Sequence, residues 1–311
     1  MSTTLHGRVG LALGSGAARG WAHIGVIRGL EDAGVEPEII CGSSIGAVVG
    51  GAYAAGALDL FEQWVRRLDW RQVVGYFDLS LRGGLIKARK VFDILGTNLP
   101  DRGFDELGKS FGAVATDLVT GQEVWLREGT LYDALRASVA LPGLITPARI
   151  DGRWLVDGGL VNPVPVSLCR AMGADSVIAV DLNTALVGRR FRAQRSVAAR
   201  PKPERGLHGV LQDIAGELRV RRGRTDEIDE DKDELPSMPS IYEVITSSVN
   251  IMQVRISRSR MAGDPPDVLV APRLSDFALL DFDRAGEAIE EGRRAVAAAL
   301  ASGGAPSAGL A

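Results

Sequence analysis

Residues 8–20, with the sequence RVGLALGSGAARG, decide the fold that the rest of the chain has to accommodate. The first part, Arg8–Leu13, is a short aliphatic run closed by glycine, a pattern that predicts a buried strand. Gly14–Gly20 predicts a turn, and Trp21–Asp32 carries apolar residues at helical spacing. The order strand, turn, helix is the repeating unit of a parallel sheet flanked by helices.

A second unit of the same kind follows. Ile39–Cys41 predicts a strand, the segment GSSIG at Gly42–Gly46 predicts a tight turn, and a helix rich in glycine and alanine comes next. Further strands are predicted at Phe111–Thr116, Gln122–Leu126, Trp154–Val156, Ser176–Val180 and Val268–Val270, and further helices at Leu60–Leu68, Lys90–Asn98, Leu131–Val139, Pro165–Met172, Ile241–Met261 and Phe282–Leu300. The pattern therefore predicts an α/β fold.

Composition limits the kinds of protein this chain can be. Of its 311 residues, 46% are hydrophobic and 24% are charged, which is enough for a sizeable core. The net charge of −3 offers no basic field, so nucleic acid is not an expected partner. The chain has two cysteines, Cys41 and Cys169, and no secretory signal pattern at its start. We therefore expect a cytoplasmic protein without a disulfide framework.

The segment Ile39–Leu58 carries no formal charge and is long enough to span a bilayer. However, glycines and serines interrupt it, and its dense aliphatic run is short. A strand end, a tight turn and a buried helix of small residues account for it better than a transmembrane helix does.

Residues 186–239 differ in kind from the rest. Arg189–Arg205 is strongly basic and Asp226–Glu234 strongly acidic, and such blocks are usually solvated and mobile. Between them, Leu207–Leu218 has apolar residues at helical spacing. This charged insert could act as a lid, as a peripheral membrane contact or as a site for a protein partner of unspecified kind. A flexible surface insert with a nascent helix remains an equal alternative.

The GSSIG turn fits G-x-S-x-G, the motif in which a serine lies at a sharp bend between a strand and a helix. Small neighbours at Gly42 and Gly46 let the backbone pack closely while the hydroxyl of Ser44 stays accessible. The N-terminus of the following helix carries free N–H groups and a partial positive charge, which suit a developing oxyanion. Ser44 is therefore the candidate nucleophile, and Ser43 is expected to be a structural turn residue.

A serine hydroxyl needs a neighbouring base to accept its proton. The chain has three histidines. His6 lies near the N-terminus and His208 in the charged insert. His23 lies at the start of a predicted helix, where a packed, hydrogen-bonded core residue is the more common case. The histidines are therefore weak candidates for the base.

An aspartate that bonds the serine directly can replace histidine. Asp157 follows a predicted strand, and the carboxyl ends of strands are where sites in open α/β sheets gather. Gly158 and Gly159 then allow close approach by serine and substrate. Asp181, at the end of another strand, is a competing candidate that could equally be a capping or loop carboxylate.

The Gly14–Gly20 loop joins the first strand to a helix, so its backbone N–H groups could cradle a phosphate or an oxyanion. It fits a dinucleotide-binding fingerprint poorly because Arg19 occupies the third glycine position. The sequence shows neither an H-E-x-x-H pattern nor a close cluster of histidine and aspartate, so no metal or other cofactor is expected.

Four motifs in this order resemble the patatin-like phospholipases. They are LGSGAARGWAHIGVIRGLE at residues 13–31, GSSIG at 42–46, ASVALPG at 137–143 and VDGGLVNPVPV at 156–166. The chain looks most similar to the short bacterial RssA-type members, and RSRMAGDPPDVL at 258–269 is similar to that subtype as well.

The resemblance implies a three-layer α/β/α fold with a mostly parallel central sheet. It also implies hydrolysis of fatty-acyl esters of phospholipids or related lipids through a Ser–Asp dyad and an acyl-enzyme. By matching motif positions, Ser44 is the nucleophile, Asp157 the base, and the N–H groups of Gly16 and Ala17 form the oxyanion hole. Residues 1–185 and 240–301 would form one patatin-like catalytic domain, and 302–311 a flexible tail.

The remaining motif positions would support the site. They are Gly14, Ser15, Arg19, Gly20, Gly42, Gly46, Gly158 and Gly159. Arg19 matches a basic residue that either orders the loop or meets lipid phosphate. The chain departs from the family at Ser15 and Ala17, where many members have glycine, and a β-carbon disfavours positive φ there. A regulatory or scaffold protein with weak or no esterase activity, and an acyltransferase or thioesterase using the same dyad, remain alternative functions.

Overall fold

The computed structural model describes residues 5–69, 101–142, 145–184 and 241–301. The helix predicted at Lys90–Asn98, the charged insert at 186–239 and the tail at 302–311 lie outside these ranges. The strands are β1 Val9–Leu13, β2 Ile39–Ser43, β3 Ser110–Asp117, β4 Glu123–Leu126, β5 Ala148–Ile150, β6 Arg153–Asp157, β7 Ser176–Val180 and β8 Val268–Val270. The α-helices are α1 Ala22–Asp32, α2 Ile45–Ala54, α3 Leu58–Val65, α4 Leu131–Ser138, α5 Val166–Ala171, α6 Ile241–Gly263 and α7 Ala285–Ala301.

Within the described ranges the strands form one eight-stranded sheet in the order β5-β6-β3-β2-β1-β7-β8, with β4 paired to β3. Strands β1, β2, β3, β7 and β8 run parallel to one another. Strands β4 and β6 are antiparallel to β3, and β5 is antiparallel to β6. The predicted mostly parallel central sheet is therefore confirmed.

Helices cover both faces of the sheet, because strand residues alternate between two cores. On β1, Leu11 and Leu13 point into the larger core, together with apolar residues of α1, α2, α3, α4 and α7. Ala12 points into the smaller core, which includes Val166 and Leu168 of α5. Side chains that are buried on both faces explain why these strands read as continuous apolar runs. The three layers α/β/α follow from this alternation.

Most elements lie close to their predicted positions. Helix α1 follows a 3₁₀ turn at Ala17–Trp21, which overlaps the turn predicted at Gly14–Gly20. The last helix likewise begins with a 3₁₀ turn, at Phe282–Arg284. The strands predicted at Phe111–Thr116 and Gln122–Leu126 are both present and form an antiparallel hairpin, in whose turn Gly121 has φ of 70°. The short strand β5, Ala148–Ile150, was not predicted, because Ala-Arg-Ile is not an aliphatic run like the equally short β8.

Strand β3 brings two distant segments together along one of its edges. Strand β4 occupies the opposite edge from Ala113 to Thr116. Both β2 and β6 must therefore share the remaining edge, where Ser43 pairs with Val114 and Asp157 pairs with Ala115. Because β2 is parallel and β6 antiparallel to β3, the carboxyl ends of β2 and β6 meet head to head.

No helix within the described ranges is both long enough and apolar enough to cross a membrane. The uncharged segment from Ile39 to Leu58 folds as β2, a one-residue bend, the short helix α2 and the start of α3.

Candidate active site

Ser44 is the only residue between β2 and α2, and it turns the chain sharply. Its φ of 57° and ψ of −126° lie in a region that residues with a β-carbon rarely adopt. Such a conformation costs on the order of 1–3 kcal/mol and persists only where packing enforces it. Here α2 starts directly against β1: a β-carbon on Gly46 would stand 2.1 Å from the carbonyl oxygen of Leu13. The bend leaves Ser44 partly exposed while Ser43 is fully buried.

The hydroxyl of Ser44 donates a hydrogen bond to the carboxylate of Asp157, with Oγ 2.6 Å from Oδ2. The other carboxylate oxygen, Oδ1, accepts from the backbone N–H of Gly159 at 2.7 Å. The backbone of Asp157 is held as well. Its N–H donates a hydrogen bond to the carbonyl of Ala140, and its carbonyl accepts one from the hydroxyl of Thr116. The carboxylate is 2% exposed, so it faces the serine in a dry and rigid setting.

Burial raises the pKa of Asp157 to about 6, because a carboxylate without water around it loses its hydration energy. The hydrogen bonds from Ser44 and Gly159 act in the opposite direction and keep the rise modest. A carboxylate with this pKa is mostly ionised at neutral pH and is a stronger base than an exposed aspartate.

Gly158 makes the close approach of the two segments possible. A β-carbon at this position would stand 2.2 Å from the carbonyl oxygen of Val114 on β3. The next residue, Gly159, lies between Asp157 and the first loop: a β-carbon there would stand 2.9 Å from Asp157 Oδ1 and 3.1 Å from the Cβ of Ser15. The glycine pair therefore packs the carboxylate against both β3 and the glycine-rich loop.

Sequence reasoning missed Ser138, at the end of α4. Its hydroxyl accepts a hydrogen bond from the backbone N–H of Ser44 at 2.9 Å and donates one to the carbonyl of Val114 at 2.6 Å. Ser138 therefore ties the bend at the nucleophile to β3, the same strand that holds Asp157. The signal that could have identified it is the motif ASVALPG, in which Ser138 is the one side chain that can form a hydrogen bond.

The Gly14–Gly20 loop leaves two of its early amides without an acceptor. Four other N–H groups of the loop donate hydrogen bonds to backbone carbonyls: Gly14 to Val180, Ser15 to Pro163, Ala18 to Leu279 and Arg19 to Gly16. Among the described residues, the N–H groups of Gly16 and Ala17 have no acceptor. These are the two amides that the sequence predicted for an oxyanion hole, which needs unpaired donors.

The loop lies beside the start of α2. A β-carbon on Gly46 would also stand 2.7 Å from the carbonyl oxygen of Gly14. Gly20 packs against the side chain of Ile45, and Gly42 packs against the backbone of Ala47 in the first turn of α2. The predicted supporting residues Gly20, Gly42 and Gly46 therefore lie at contacts between the loop, the bend and the helix.

The two departures from glycine in this loop have different outcomes. Ala17 has φ of 49°, so it adopts the left-handed conformation despite its β-carbon. Ser15 is not among the residues with positive φ, and Gly16 is extended with φ of 171°. The strain expected from sequence therefore falls on Ala17 alone.

Arg19 is turned into the protein and is 1% exposed. Its Nε donates to the carbonyl of Gly16 at 3.1 Å and its Nη2 to Oδ1 of Asn250 on α6 at 3.2 Å. Of the two roles that the resemblance allowed, this geometry favours ordering of the loop over contact with lipid phosphate.

The competing candidates for the base have other partners. His23 is fully buried, with Nε2 2.7 Å from the carbonyl oxygen of Gly14. Burial lowers the pKa of His23 to about 4, so the ring is neutral, and Nε2 carries the proton because a carbonyl can only accept. Asp181 accepts from the N–H of Asn183 at 2.8 Å, and burial raises its pKa. Within the part of the chain that the structure describes, neither His23 nor Asp181 forms a hydrogen bond with Ser44.

Known proteins resemble this chain over most of its length. A family model described as patatin-like phospholipase matches residues 11–170. An uncharacterized NTE family protein of Mycobacterium tuberculosis is 36% identical over 328 residues, covering 94% of this chain and 91% of the relative. The lysophospholipase nte1 of Emericella nidulans is 33% identical over 186 residues, covering 57% of this chain and 12% of that protein.

Among solved structures, VipD from Legionella pneumophila matches with a TM-score of 0.49 at 14% identity, covering 97% of this chain and 68% of VipD. The RssA-type subgroup stays a prediction. With the family model spanning residues 11–170 and a relative aligned almost end to end, the chain belongs to the patatin-like phospholipase family of lipid ester hydrolases.

Proposed function

We propose that this lipid hydrolase cleaves fatty-acyl esters of phospholipids or related lipids, with Ser44 as nucleophile and Asp157 as base. The observation that carries the proposal is the 2.6 Å contact between Ser44 Oγ and Asp157 Oδ2 at a strained bend between strand and helix. A serine at such a bend, in hydrogen bond with a buried base, is the arrangement that activates a hydroxyl.

The first half of the reaction forms an acyl-enzyme. As Ser44 Oγ bonds to the ester carbonyl carbon, its proton moves to Asp157 Oδ2 and the carbonyl electron pair moves to the carbonyl oxygen. The N–H groups of Gly16 and Ala17 hold this oxyanion, with the N-terminus of α2 beside them. The bond to the alcohol then breaks, and the leaving oxygen takes the proton from Asp157.

The second half releases the fatty acid. A water gives a proton to Asp157 and attacks the acyl carbon, and the same N–H groups hold the new oxyanion. When this intermediate collapses, Ser44 takes the proton back and the fatty acid leaves. An oxyanion donor is worth on the order of 3–4 kcal/mol in the barrier, so two donors supply a large part of the rate enhancement.

The compartment that we propose is the cytoplasm, with the membrane surface as the place of action. Cys41 and Cys169 are buried free thiols, which fits a reducing environment. The peripheral membrane contact predicted for the charged insert lies outside the described residues. The lysophospholipase nte1 of Emericella nidulans makes lysophospholipid the first natural substrate to test.

The test is hydrolysis of p-nitrophenyl esters and of a lysophospholipid by the purified protein, with released fatty acid as the readout. We expect Ser44→Ala to abolish turnover. The matched control is Ser43→Ala, which removes a neighbouring hydroxyl that is fully buried and has no hydrogen-bond partner among the described residues. We expect this control to keep its activity.

A fluorophosphonate label followed by peptide mapping identifies the nucleophile independently. We expect the label on Ser44 in the wild-type protein. Labelling of a different serine would refute the site, and a wild-type protein without ester turnover would favour the regulatory or scaffold alternative.

A further inference from the structure

Each of the two proposed oxyanion donors, the N–H groups of Gly16 and Ala17, belongs to a peptide unit whose carbonyl accepts a hydrogen bond from a buried side chain. The N–H of Gly16 is in the same unit as the carbonyl of Ser15, and the N–H of Ala17 is in the same unit as the carbonyl of Gly16. In a planar trans peptide these two bonds point in opposite directions. A hydrogen bond that fixes the carbonyl on one side of the loop therefore fixes the direction of the N–H on the other side.

Both carbonyls have such a partner. Nδ2 of Asn183 donates to the carbonyl of Ser15 at 3.1 Å, and Nε of Arg19 donates to the carbonyl of Gly16 at 3.1 Å. Both donors are buried. A donor on the carbonyl also polarises the peptide, which makes the N–H at its other end a better donor. The two side chains therefore act on the amides that have no acceptor of their own.

A second pair of residues, on helix α6, holds these two side chains. The remaining hydrogen of Asn183 Nδ2 points to Oε1 of Gln253 at 3.4 Å. The guanidinium of Arg19 uses Nη2 to donate to Oδ1 of Asn250 at 3.2 Å. Asn250 and Gln253 are three residues apart and lie on one face of α6, 7% and 6% exposed. Polar side chains are costly to bury unless they have hydrogen-bond partners, and here the partners are the two residues that hold the loop.

We propose that Asn250 and Gln253 are positioning residues for the oxyanion hole, acting through Arg19 and Asn183. Asn250 orients the N–H of Ala17 through Arg19, and Gln253 orients the N–H of Gly16 through Asn183. This inference rests on the proposed function, since it assigns the two amides to the oxyanion of acyl transfer. Helix α6 thereby sets the geometry of a loop that lies more than two hundred residues earlier in the sequence.

Gln253 also lies against the turn that carries the base. A β-carbon on Gly159 would stand 2.6 Å from Nε2 of Gln253, and the N–H of Gly159 donates to Asp157. One side chain of α6 therefore contacts both the base turn and the residue that holds the loop.

Removal of the side-chain amide of Asn250 or Gln253 should leave α6 packed against the rest of the protein. Arg260, further along α6, donates through Nε to the carbonyl of Val161 at 2.8 Å and forms an ion pair with Glu123. Val254 is buried in the same helix. Substitutions at Asn250 and Gln253 therefore test the direction of the loop amides more than the docking of α6.

The test compares Asn250→Ala and Gln253→Ala with Ser257→Ala and Asn250→Asp. Ser257 is a control on the same helix: its hydroxyl is buried and has no hydrogen-bond partner among the described residues. Asn250→Asp is the rescue variant, because its carboxylate keeps an acceptor for Arg19. The readouts are kcat and KM on a soluble ester, and the rate at which a fluorophosphonate modifies Ser44.

We expect the two alanine variants to lose roughly tenfold or more in kcat, with KM changed by less than about twofold, since misaligned donors affect the transition state. Ser257→Ala and Asn250→Asp should stay within about threefold of the wild type. The inference is overturned if both alanine variants match the Ser257→Ala control, or if Asn250→Asp is as impaired as Asn250→Ala.

Amide hydrogen exchange of the peptide that covers Gly14–Trp21 gives a readout without turnover. We expect faster exchange in Asn250→Ala and Gln253→Ala than in Ser257→Ala, and equal exchange would again overturn the inference. A wild-type protein that neither cleaves esters nor reacts at Ser44 would refute the proposed function instead, while the exchange data would still decide whether α6 orders the loop.

Discussion

The hydroxyl of Ser44 and the carboxylate of Asp157 lie 2.6 Å apart although 113 positions separate the two residues in sequence. Backbone pairing explains this proximity, because Ser43 and Asp157 pair with the neighbouring residues Val114 and Ala115 of β3. The pairing of both segments with β3 therefore sets the distance between the hydroxyl and the carboxylate. The geometry depends on main-chain register, which is harder to perturb than a side-chain rotamer.

Gly158→Ala should break this register. The added β-carbon would stand 2.2 Å from the carbonyl oxygen of Val114, and main chain cannot move aside as a flexible side chain can. We expect a loss of about 1–3 kcal/mol in the free energy of unfolding and a loss of ester turnover of at least tenfold. Gly263→Ala is the matched control, since a β-carbon at the end of α6 meets nothing within 4 Å. Equal activity in the two variants would contradict the claim that pairing with β3 sets the distance between Ser44 and Asp157.

The pH dependence of kcat/KM should follow the ionisation of Asp157. Its pKa of about 6 means that the base is protonated and inactive below this pH, so activity should rise about tenfold per pH unit and level off above about pH 6. The neutral His23 should contribute nothing to this limb. His23→Gln keeps a donor for the carbonyl of Gly14 and should leave the midpoint unchanged. A midpoint that moves in His23→Gln would point to an imidazole base.

Asp157→Asn should abolish turnover and yet stabilise the protein at neutral pH. The pKa of Asp157 rises from its ordinary 3.8 to about 6 on folding, so the folded state binds the proton more tightly and stability falls as pH rises between these values. At about 1.4 kcal/mol per pKa unit, the ionised carboxylate costs about 3 kcal/mol above pH 6. Thermal melting should show the variant to be more stable at pH 7, with a gap that narrows towards pH 4. If Asp157→Asn were less stable than the wild type at pH 7, the ionised carboxylate would not be destabilising.

The elements with a strong local signal were predictable from sequence. β1 and β7 are aliphatic runs that lie between turn residues, and the bend at Ser44 carries its own motif. Asp157 was predicted at a strand end, on the argument that sites gather at the carboxyl ends of parallel strands. However, β6 is antiparallel to β3, and Asp157 reaches Ser44 because the ends of β2 and β6 meet head to head.

Other parts of the site could not be predicted because they depend on tertiary contacts between distant residues. Asn183 follows β7 and Asn250 lies within α6, and nothing in their neighbours in sequence indicates that both reach the glycine-rich loop. The pairing of β3 with three strands likewise cannot be read from one sequence. Hydrophobic periodicity reports which face of an element is buried, and it carries no information about which element covers that face.

Ser138→Ala should impair catalysis through the backbone of the nucleophile. The hydroxyl of Ser138 links the N–H of Ser44 to the carbonyl of Val114, and its loss leaves a partly buried donor and a buried acceptor without this partner. We expect a destabilisation of about 1–3 kcal/mol and a reduced kcat. Ser138→Thr keeps the hydroxyl and should recover part of the activity. Unchanged kcat in Ser138→Ala, measured at a temperature where the variant is folded, would show that this link is dispensable for the reaction.

Ala17→Gly should stabilise the protein, whereas the same change at the next residue should destabilise it. Ala17 has φ of 49°, a conformation that costs an L-residue roughly 1–2 kcal/mol and costs glycine nothing. Glycine adds about 0.5–1 kcal/mol of conformational entropy to the unfolded chain, which offsets part of the gain. The net expectation is a gain of about 0.5–1 kcal/mol in the free energy of unfolding.

Ala18 is the matched control for this change, because it is fully buried and its φ is not positive. Ala18→Gly relieves no strain, removes a buried methyl group and loosens the unfolded chain, so it should lower stability by about 1 kcal/mol or more. Chemical denaturation of the two variants gives both values on the same scale. Opposite signs would place the backbone strain of the loop at the proposed oxyanion donor Ala17. Destabilisation by both would mean that Ala17 is not strained in solution.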